Sequence, residues 1–275
     1  MTRDPDLHTA TLSDGGRLCY RVVGRPGAGL PILLNRPLGG TMRLWGDLLG
    51  ELAREHQVIA FDPRGVGDSS ALPLLHSTRD MAGDALQLLQ QLRIERACIF
   101  GISLGGMVAS WLAIDAPERV ERLVLASTLP EPSALSHRFK RHIWKFASSA
   151  TRPGAEAEVA LVNEVLSPHF RHAHPERVRE IEAQVRAQPT RKRDLLLMLM
   201  AAACHSAESR LRGLPVRTLL LFGQLDPLVG KTARQELMRD LPSATLEMLE
   251  LTGHDLSLER PHELAASILR FLKST

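Results

Sequence analysis

The chain has few cysteines, and their positions exclude the structures that cysteine usually supports. Its 275 residues contain three, Cys19, Cys98 and Cys204, with no CxxC pair and no spacing typical of metal ligands. An odd number of cysteines with apolar neighbours is typical of reduced thiols in a cytoplasmic protein. The histidines between positions 169 and 174 have no carboxylate or thiolate at matching spacing. We therefore predict no disulfide and no metal site.

Long hydrophobic runs are also missing. The longest, Leu195–Cys204, is about half of the roughly 18 residues that a membrane span needs. The first residues, MTRDPDLHTATLSDGG, are polar and lack the apolar run of a secretory signal. The sequence therefore predicts a cytoplasmic protein that does not enter the membrane.

The chain also has little net charge. The chain carries 34 Lys and Arg against 31 Asp and Glu, a formal charge of +3, which is too weak to indicate nucleic-acid binding. Residues 131–213 nevertheless hold 14 Lys and Arg against 9 Asp and Glu. This local excess is explained either by a solvated helical surface or by attraction of an anionic substrate.

What the sequence does contain is a regular alternation of short apolar, β-branched runs with amphipathic segments. Such alternation is typical of a mostly parallel sheet covered by helices. The predicted strands are Thr9–Leu12, Arg17–Val23, Pro31–Asn35, Gln57–Asp62, Arg96–Gly101, Arg122–Ser127, Val216–Phe222 and Ala244–Leu251. The predicted helices are Thr41–Glu55 with Thr41 as N-cap, Arg79–Leu92, Ser103–Asp115, Lys231–Asp240 and Pro261–Leu272.

The alternation is interrupted by about 85 residues without a clear strand. The periodicity there predicts four helices, near 136–150, 154–167, 175–188 and 190–208. We therefore divide the chain into a core, 1–129 and 215–275, and a helical insertion, 130–214.

A serine stands between an apolar strand and an apolar helix in the phrase Gly101-Ile102-Ser103-Leu104-Gly105-Gly106. This is the G-x-S-x-G nucleophile elbow, and it lies where the motif is specific, after a strand and before a helix. The turn is so tight that the residues two before and two after the serine must have almost no side chain, and Gly101 and Gly105 meet that need. The alternative is a glycine-rich helix start that binds phosphate or only packs.

A serine hydroxyl needs a base within hydrogen-bond reach, and the base needs a carboxylate to fix its tautomer. His254 follows a predicted strand after a glycine, and Asp226 follows the strand before that one. The order Ser, Asp, His is the one that this fold requires. Glu131 is the competing acid, whereas Asp255 is too close to His254 in sequence to reach the ring easily. Asp62 and Asp68 are expected to be structural.

With these residues in place, the chain resembles the α/β-hydrolase superfamily. The phrases Phe61-Asp62-Pro63-Arg64-Gly65-Val66-Gly67-Asp68-Ser69 and Pro117-Glu118-Arg119-Val120 add to the likeness, which covers nearly everything outside the insertion. It implies an eight-stranded, mostly parallel sheet with a helical cap inserted after the sixth strand. The stretch Leu33 to Trp45 resembles the branch of 3-oxoadipate enol-lactonases and cofactor-free haloperoxidase-like esterases.

One departure from the family concerns the oxyanion hole. The family usually has His-Gly after the third strand, where this chain has Arg36-Pro37. The resemblance then implies the backbone N–H groups of Leu38 and Leu104 as the two donors. A register one residue earlier would place Pro37, which has no N–H, at that position, and a lost donor would weaken transition-state binding by roughly 3 kcal/mol.

The implied reaction is acyl transfer through an acyl-enzyme, with no metal or organic cofactor, on a small-molecule ester or lactone. The insertion would cover the serine, and its positive balance favours an anionic substrate. Candidate substrate contacts are Arg36, Gly39, Trp144 and Met198. Apolar residues of the insertion such as Phe146, Leu161, Val165 and Met200 either line an acyl pocket or only pack its helices together.

Other functions remain open at this point. A C–C bond hydrolase, a thioesterase or an acyltransferase would use the same triad, and a non-catalytic binding protein could keep the fold. A haloalkane dehalogenase would need an aspartate in place of Ser103.

Overall fold

The computed structural model describes residues 6–131 and 154–274. Eight strands form one sheet in the order β1-β2-β4-β3-β5-β6-β7-β8. Every predicted strand is present, with each end within two residues of the predicted position. The strands are β1 (His8–Thr11), β2 (Arg17–Val23), β3 (Ile32–Asn35), β4 (Val58–Asp62), β5 (Ala97–Ile102), β6 (Val120–Ala126), β7 (Thr218–Gly223) and β8 (Thr245–Leu249).

The sheet is mostly parallel. Among the described strands, β1–β2 and β2–β4 pair antiparallel, and the other neighbouring strands pair parallel. The central strands β3, β4, β5 and β7 are buried along their whole length, because helices cover both faces. Their carboxyl ends therefore meet at one edge of the sheet, where the connecting loops are free to build a site.

The helices follow the predicted alternation. They are α1 (Asp47–Ala53), α2 (Thr78–Gln91), α3 (Leu104–Asp115), α4 (Gly154–Val165), α5 (Pro168–Ala173), α6 (Pro175–Ala187), α7 (Lys192–Ala203), α8 (Glu208–Leu211), α9 (Lys231–Asp240), α10 (Leu256–Glu259) and α11 (Pro261–Lys273). The short helices α5, α8 and α10 were not expected. The predicted helix 136–150 lies outside the described residues.

The predicted helix Thr41–Glu55 is broken in two. A 3₁₀ turn, Met42–Trp45, precedes α1, and Gly46 between them has φ 48°. The Thr41 side chain makes no capping hydrogen bond. Instead, Asp62 Oδ1, at the end of β4, accepts a hydrogen bond from the Met42 N–H at 2.6 Å, so this N–H at the start of the turn has a partner. Asp62 therefore has the structural role that was predicted for it.

The described part of the segment between β6 and β7 is helical. Its helices share a small apolar core with the rest of the chain, in which Val159, Phe170 and Ile181 pack with Leu44 and Leu258. The helices therefore lie against the carboxyl edge of the sheet. No helix in the described ranges is long and apolar enough to cross a membrane.

The predicted packing role of Cys98 is confirmed, since it is fully buried in β5, and burial raises the pKa of its thiol to about 12. Cys19 is also buried, Cys204 is exposed, and all three are free thiols.

Candidate active site

Ser103 occupies a strained turn between β5 and α3. Its backbone has φ 56° and ψ −118°, and its N–H donates to the Ala126 carbonyl at 2.9 Å. A Cβ atom on Gly101 would lie 2.1 Å from the Gly105 carbonyl oxygen, and one on Gly105 would lie 2.1 Å from the Asn35 carbonyl oxygen. The two flanking glycines are therefore sterically required, as the motif predicts.

His254 lies in the loop after β8, and its ring is held by a buried carboxylate. His254 Nδ1 is 3.0 Å from Asp226 Oδ1 and 2.9 Å from Asp226 Oδ2, and the Asp226 side chain is fully buried. Asp226 Oδ1 also accepts from the N–H groups of Leu228 and Val229 at 2.8 and 3.0 Å. This arrangement fixes the ring and leaves Nε2 as the nitrogen available for proton transfer.

Two opposing effects set the basicity of the ring. Burial disfavours the imidazolium, but the charge of Asp226 and its hydrogen bond outweigh burial and raise the pKa of His254 above its ordinary value. The nearby carboxylates of Asp255 and Glu259 act in the same direction. The ring is thus tuned as a stronger base than a free imidazole.

The loop that carries His254 is tied to the inserted helices. The His254 N–H donates to the Val165 carbonyl at 2.9 Å. The buried Glu259 carboxylate accepts from the Ser167 N–H at 2.7 Å, the Ser167 hydroxyl at 2.6 Å and the Gly253 N–H at 3.1 Å. Sequence reasoning missed this link, because nothing in the local pattern of residues 250–260 reveals a partner 92 positions away.

The loop after β3 faces the same space. Leu38 and Leu104 both line the cavity that contains Ser103 and His254. Within the described residues, neither of their backbone N–H groups donates a hydrogen bond to another protein group. Gly39, with φ 71°, also lines the cavity and lets the chain turn beside it.

The cavity itself measures about 100 Å³, room for several water molecules. Its described wall is mostly apolar. Ser103 and His254 belong to this wall, and its acidic and basic side chains other than His254 are those of Arg36, Glu158 and Asp255. No group of three or more His, Cys, Asp or Glu in the described ranges is arranged to hold a metal ion.

Comparisons with known proteins decide the family. The sequence matches the family described as the α/β hydrolase fold over residues 31–261. The chain belongs to this family. The predicted fold, with its eight-stranded and mostly parallel sheet, is therefore confirmed.

Individual relatives of this α/β hydrolase are similar over nearly their whole length. A protein of Pseudomonas savastanoi pv. phaseolicola (strain 1448A / Race 6), assigned as the carbamate hydrolase RutD, is 32% identical over 245 residues, covering 88% of this chain and 93% of that protein. A hydrolase structure from Pseudomonas aeruginosa PA01 has a TM-score of 0.86 and 26% identity, covering 99% of this chain and 100% of that one. The enol-lactonase of Burkholderia xenovorans LB400 has a TM-score of 0.85, 23% identity and coverage of 97% and 100%, and at this identity shows the fold alone.

Within this α/β hydrolase, Arg36 lines the cavity, as expected of a substrate contact, but its guanidinium already has protein partners. The group is buried, donates to Asp255 Oδ2 at 2.8 Å and to the Ser257 hydroxyl at 2.7 Å, and lies 4.6 Å from the centre of the Trp45 ring. Burial lowers the pKa of Arg36, and the Asp255 carboxylate opposes that change. Asp255 is therefore the partner of Arg36, in agreement with its exclusion as the triad acid.

The other predicted substrate contacts have different outcomes. Met198 is 1% exposed and belongs to the main core, where its methyl group packs against Gly65. It does not line the cavity among the described residues, so that prediction is wrong. The physical reason is helical geometry: Leu199 and Ala202 of the same helix do line the cavity, and Met198 is rotated away from that face. Trp144 and Phe146 lie outside the described residues.

Two polar residues in the cavity wall were missed by sequence reasoning. Ser127, after β6, has φ 43° and a buried hydroxyl with no hydrogen-bond partner among the described groups. Glu158 lies on α4 and is 5% exposed. A signal for Glu158 does exist in the sequence: Glu158, Leu161, Val162 and Val165 have the i, i+3, i+4, i+7 spacing of one helix face, and all four line the cavity.

Proposed function

We propose that the chain is a serine hydrolase that cleaves a carboxylic ester or lactone through an acyl-enzyme intermediate. The observation that carries the proposal is the meeting of two independently positioned groups in one cavity. Ser103 is presented there by a turn with φ 56°, and His254 lines the same cavity with Nδ1 held by the buried Asp226.

In the first step, His254 Nε2 takes the proton of the Ser103 hydroxyl as the oxygen attacks the substrate carbonyl. Asp226 holds the ring in the tautomer with its proton on Nδ1 and stabilises the imidazolium that forms. His254 then gives the proton to the leaving alcohol or enol. In the second step, the same ring activates water, which releases the acid and frees Ser103.

The negative charge that develops on the carbonyl oxygen needs donors. The backbone N–H groups of Leu38 and Leu104 fill this role in the proposal, because they line the cavity on the sides of the β3 loop and the α3 N-terminus. The partial positive charge at the start of α3 adds to the same stabilisation. Pro37 lies one residue before the donor, so its missing N–H does not weaken the hole.

Residues 130–214 act as a cap in this proposal. The described helices of that segment supply Glu158, Leu161 and Leu199 to the cavity wall, and Val165 accepts the His254 N–H. Since the cap both shapes the pocket and holds the catalytic loop, it excludes water and selects the substrate.

A carbamate is the second candidate substrate, because the relative of 32% identity is assigned as a carbamate hydrolase. The carbonyl of a carbamate would be attacked by the same serine, and the same oxyanion donors would serve. C–C bond hydrolysis, thioester hydrolysis and acyl transfer use the same serine chemistry. A small-molecule binding protein that has this fold but no catalytic activity is the alternative to an enzyme.

The test is a panel of para-nitrophenyl esters, lactones, acyl-CoA thioesters and aryl carbamates, assayed with the native chain, Ser103→Ala and Ser13→Ala. Ser13 is exposed and remote in sequence from the elbow, so its variant is a matched control. We expect hydrolysis and labelling by a fluorophosphonate in the native chain and the control, and loss of both in Ser103→Ala. Equal hydrolysis or equal labelling in all three would overturn the proposal.

A further inference from the structure

Glu158 is a buried acid in the wall of the candidate active site. It is 5% exposed, and its Oε1 accepts from the Thr190 N–H at 2.8 Å. Among the described residues, no protein group other than Thr190 hydrogen-bonds to this carboxyl. A carboxylate has about four acceptor positions, so most of its capacity is unused.

The other charged side chains in the described wall already have partners. Arg36 pairs with Asp255 at 2.8 Å, and His254 pairs with Asp226 at 2.9 Å. Glu158 makes no ion pair within the described residues. Burial accordingly raises the pKa of Glu158 to about 7, against the effect of the Thr190 hydrogen bonds. The ionised form of Glu158 is therefore costly in the free protein, and a cation bound beside the carboxyl would favour it.

The carboxyl also lies beside the loop of the proposed oxyanion hole. The Thr190 hydroxyl donates to the Gly39 carbonyl at 3.1 Å, and a Cβ built on Gly39 would be 3.9 Å from Glu158 Oε1. Gly39 directly follows Leu38, one of the two proposed oxyanion donors. Glu158 and the proposed donor Leu38 therefore line the same cavity, on neighbouring parts of its wall.

We propose that Glu158 binds a cationic amine on the substrate, so that the preferred ester or lactone carries an ammonium group. This inference rests on the proposed function and names the substrate class for that same site. An ammonium group brings three donors and the opposite charge to a carboxyl in a wall that is mostly apolar. A carboxylate on the substrate would face Glu158 with no uncommitted cation in the described wall, which reverses the preference for anions predicted from the charge of residues 131–213.

Two pairs of para-nitrophenyl esters test the inference. In the first pair, the β-alanine ester and the butyrate ester have the same chain length and differ by an ammonium in place of a methyl group. The second pair, the ε-aminocaproate and heptanoate esters, probes a longer reach. With the native enzyme we expect kcat/KM to be higher for the ammonium ester in at least one pair, and a preference for the methyl ester in both would overturn the inference.

The variant Glu158→Gln keeps the size of the side chain and removes its charge. Its ratio of kcat/KM, ammonium ester over methyl ester, should fall by about tenfold or more, as expected for loss of a charge-assisted contact in a desolvated site. Glu156→Gln is the matched control, because Glu156 lies on the same helix but is exposed and pairs with Arg186. An equal ratio in the two variants would overturn the role of Glu158.

The same assays distinguish failure of the ammonium preference from failure of the proposed serine mechanism. If the native enzyme and Glu156→Gln hydrolyse the butyrate ester and Ser103→Ala does not, the serine mechanism stands whatever the charge preference. If none of the four esters is cleaved faster by the native enzyme than by Ser103→Ala, the proposed function fails and the inference fails with it.

Discussion

The hydroxyl of Ser167 donates to Glu259 Oε2 at 2.6 Å, and this bond joins the inserted helices to the loop that carries His254. The same carboxylate accepts from the Ser167 and Gly253 N–H groups. A Cβ on Gly253 would lie 2.6 Å from the Val165 carbonyl oxygen, so the two segments are in close backbone contact. The position of the candidate base is therefore set by residues from both parts of the chain.

Replacing Glu259 by Gln should destabilise the fold. The amide keeps one acceptor oxygen, whereas three donors converge on the carboxylate, so at least one buried donor loses its partner. We expect the free energy of unfolding to fall by about 1–3 kcal/mol, measured by urea denaturation. Glu263→Gln, at an exposed site on α11, is the control and should change it by less than about 1 kcal/mol. Equal values for the two variants would contradict the assigned role of Glu259.

The activity should depend on pH through His254. The ring must be neutral to act as a base, and its pKa is raised, so kcat/KM for a neutral ester is low in acid and rises as the proton leaves. We expect the midpoint of this rise above the ordinary imidazole value of about 6.5. Glu158 titrates nearby, so the profile is measured with the butyrate ester in both native enzyme and Glu158→Gln. A midpoint below the ordinary value in both would contradict the assignment.

The elbow and its partners were predictable from sequence because their requirements are local. Gly101 and Gly105 are demanded by the steric limits of one turn, and the order of Ser103, Asp226 and His254 follows from the order of the strands. The strands were found for the same reason, since a buried parallel strand is a short apolar run wherever it lies in the chain.

The errors and omissions concern contacts between distant segments. The partner of Arg36, Asp255, is 219 positions away, so the sequence could not show that this guanidinium is already paired. Met198 was chosen from an apolar run in which every position looked alike, so the buried and cavity faces of α7 were indistinguishable. Glu158 was overlooked because a single acid in a helix is usually solvated, and its helical spacing to Leu161 and Val165 does not by itself show that this face is buried.

Adding a methyl group at Gly105 should disrupt the elbow. The new Cβ would overlap backbone atoms of Asn35 and Arg36, which have no room to move in the sheet. We expect Gly105→Ala to lower the free energy of unfolding by about 3 kcal/mol and to abolish fluorophosphonate labelling. Gly83→Ala, inside α2 with no heavy atom within 4 Å of the added Cβ, should raise stability by about 1 kcal/mol. Loss of stability in Gly83→Ala similar to that in Gly105→Ala would show that the effect is not steric.

The buried pair of Arg36 and Asp255 should behave as one structural unit. Arg36→Leu leaves a carboxylate without its cation, and Asp255→Leu leaves a guanidinium without its anion, so each should lower the free energy of unfolding by about 3 kcal/mol or more. The double variant removes both charges and should lose clearly less than the sum of the two, which a double-mutant cycle by urea denaturation measures. Arg54→Leu, which breaks an exposed pair with Glu51, should change stability by less than about 1 kcal/mol. Simple additivity in the cycle would mean that the two side chains do not depend on each other, and Arg36 would again become a candidate for binding substrate.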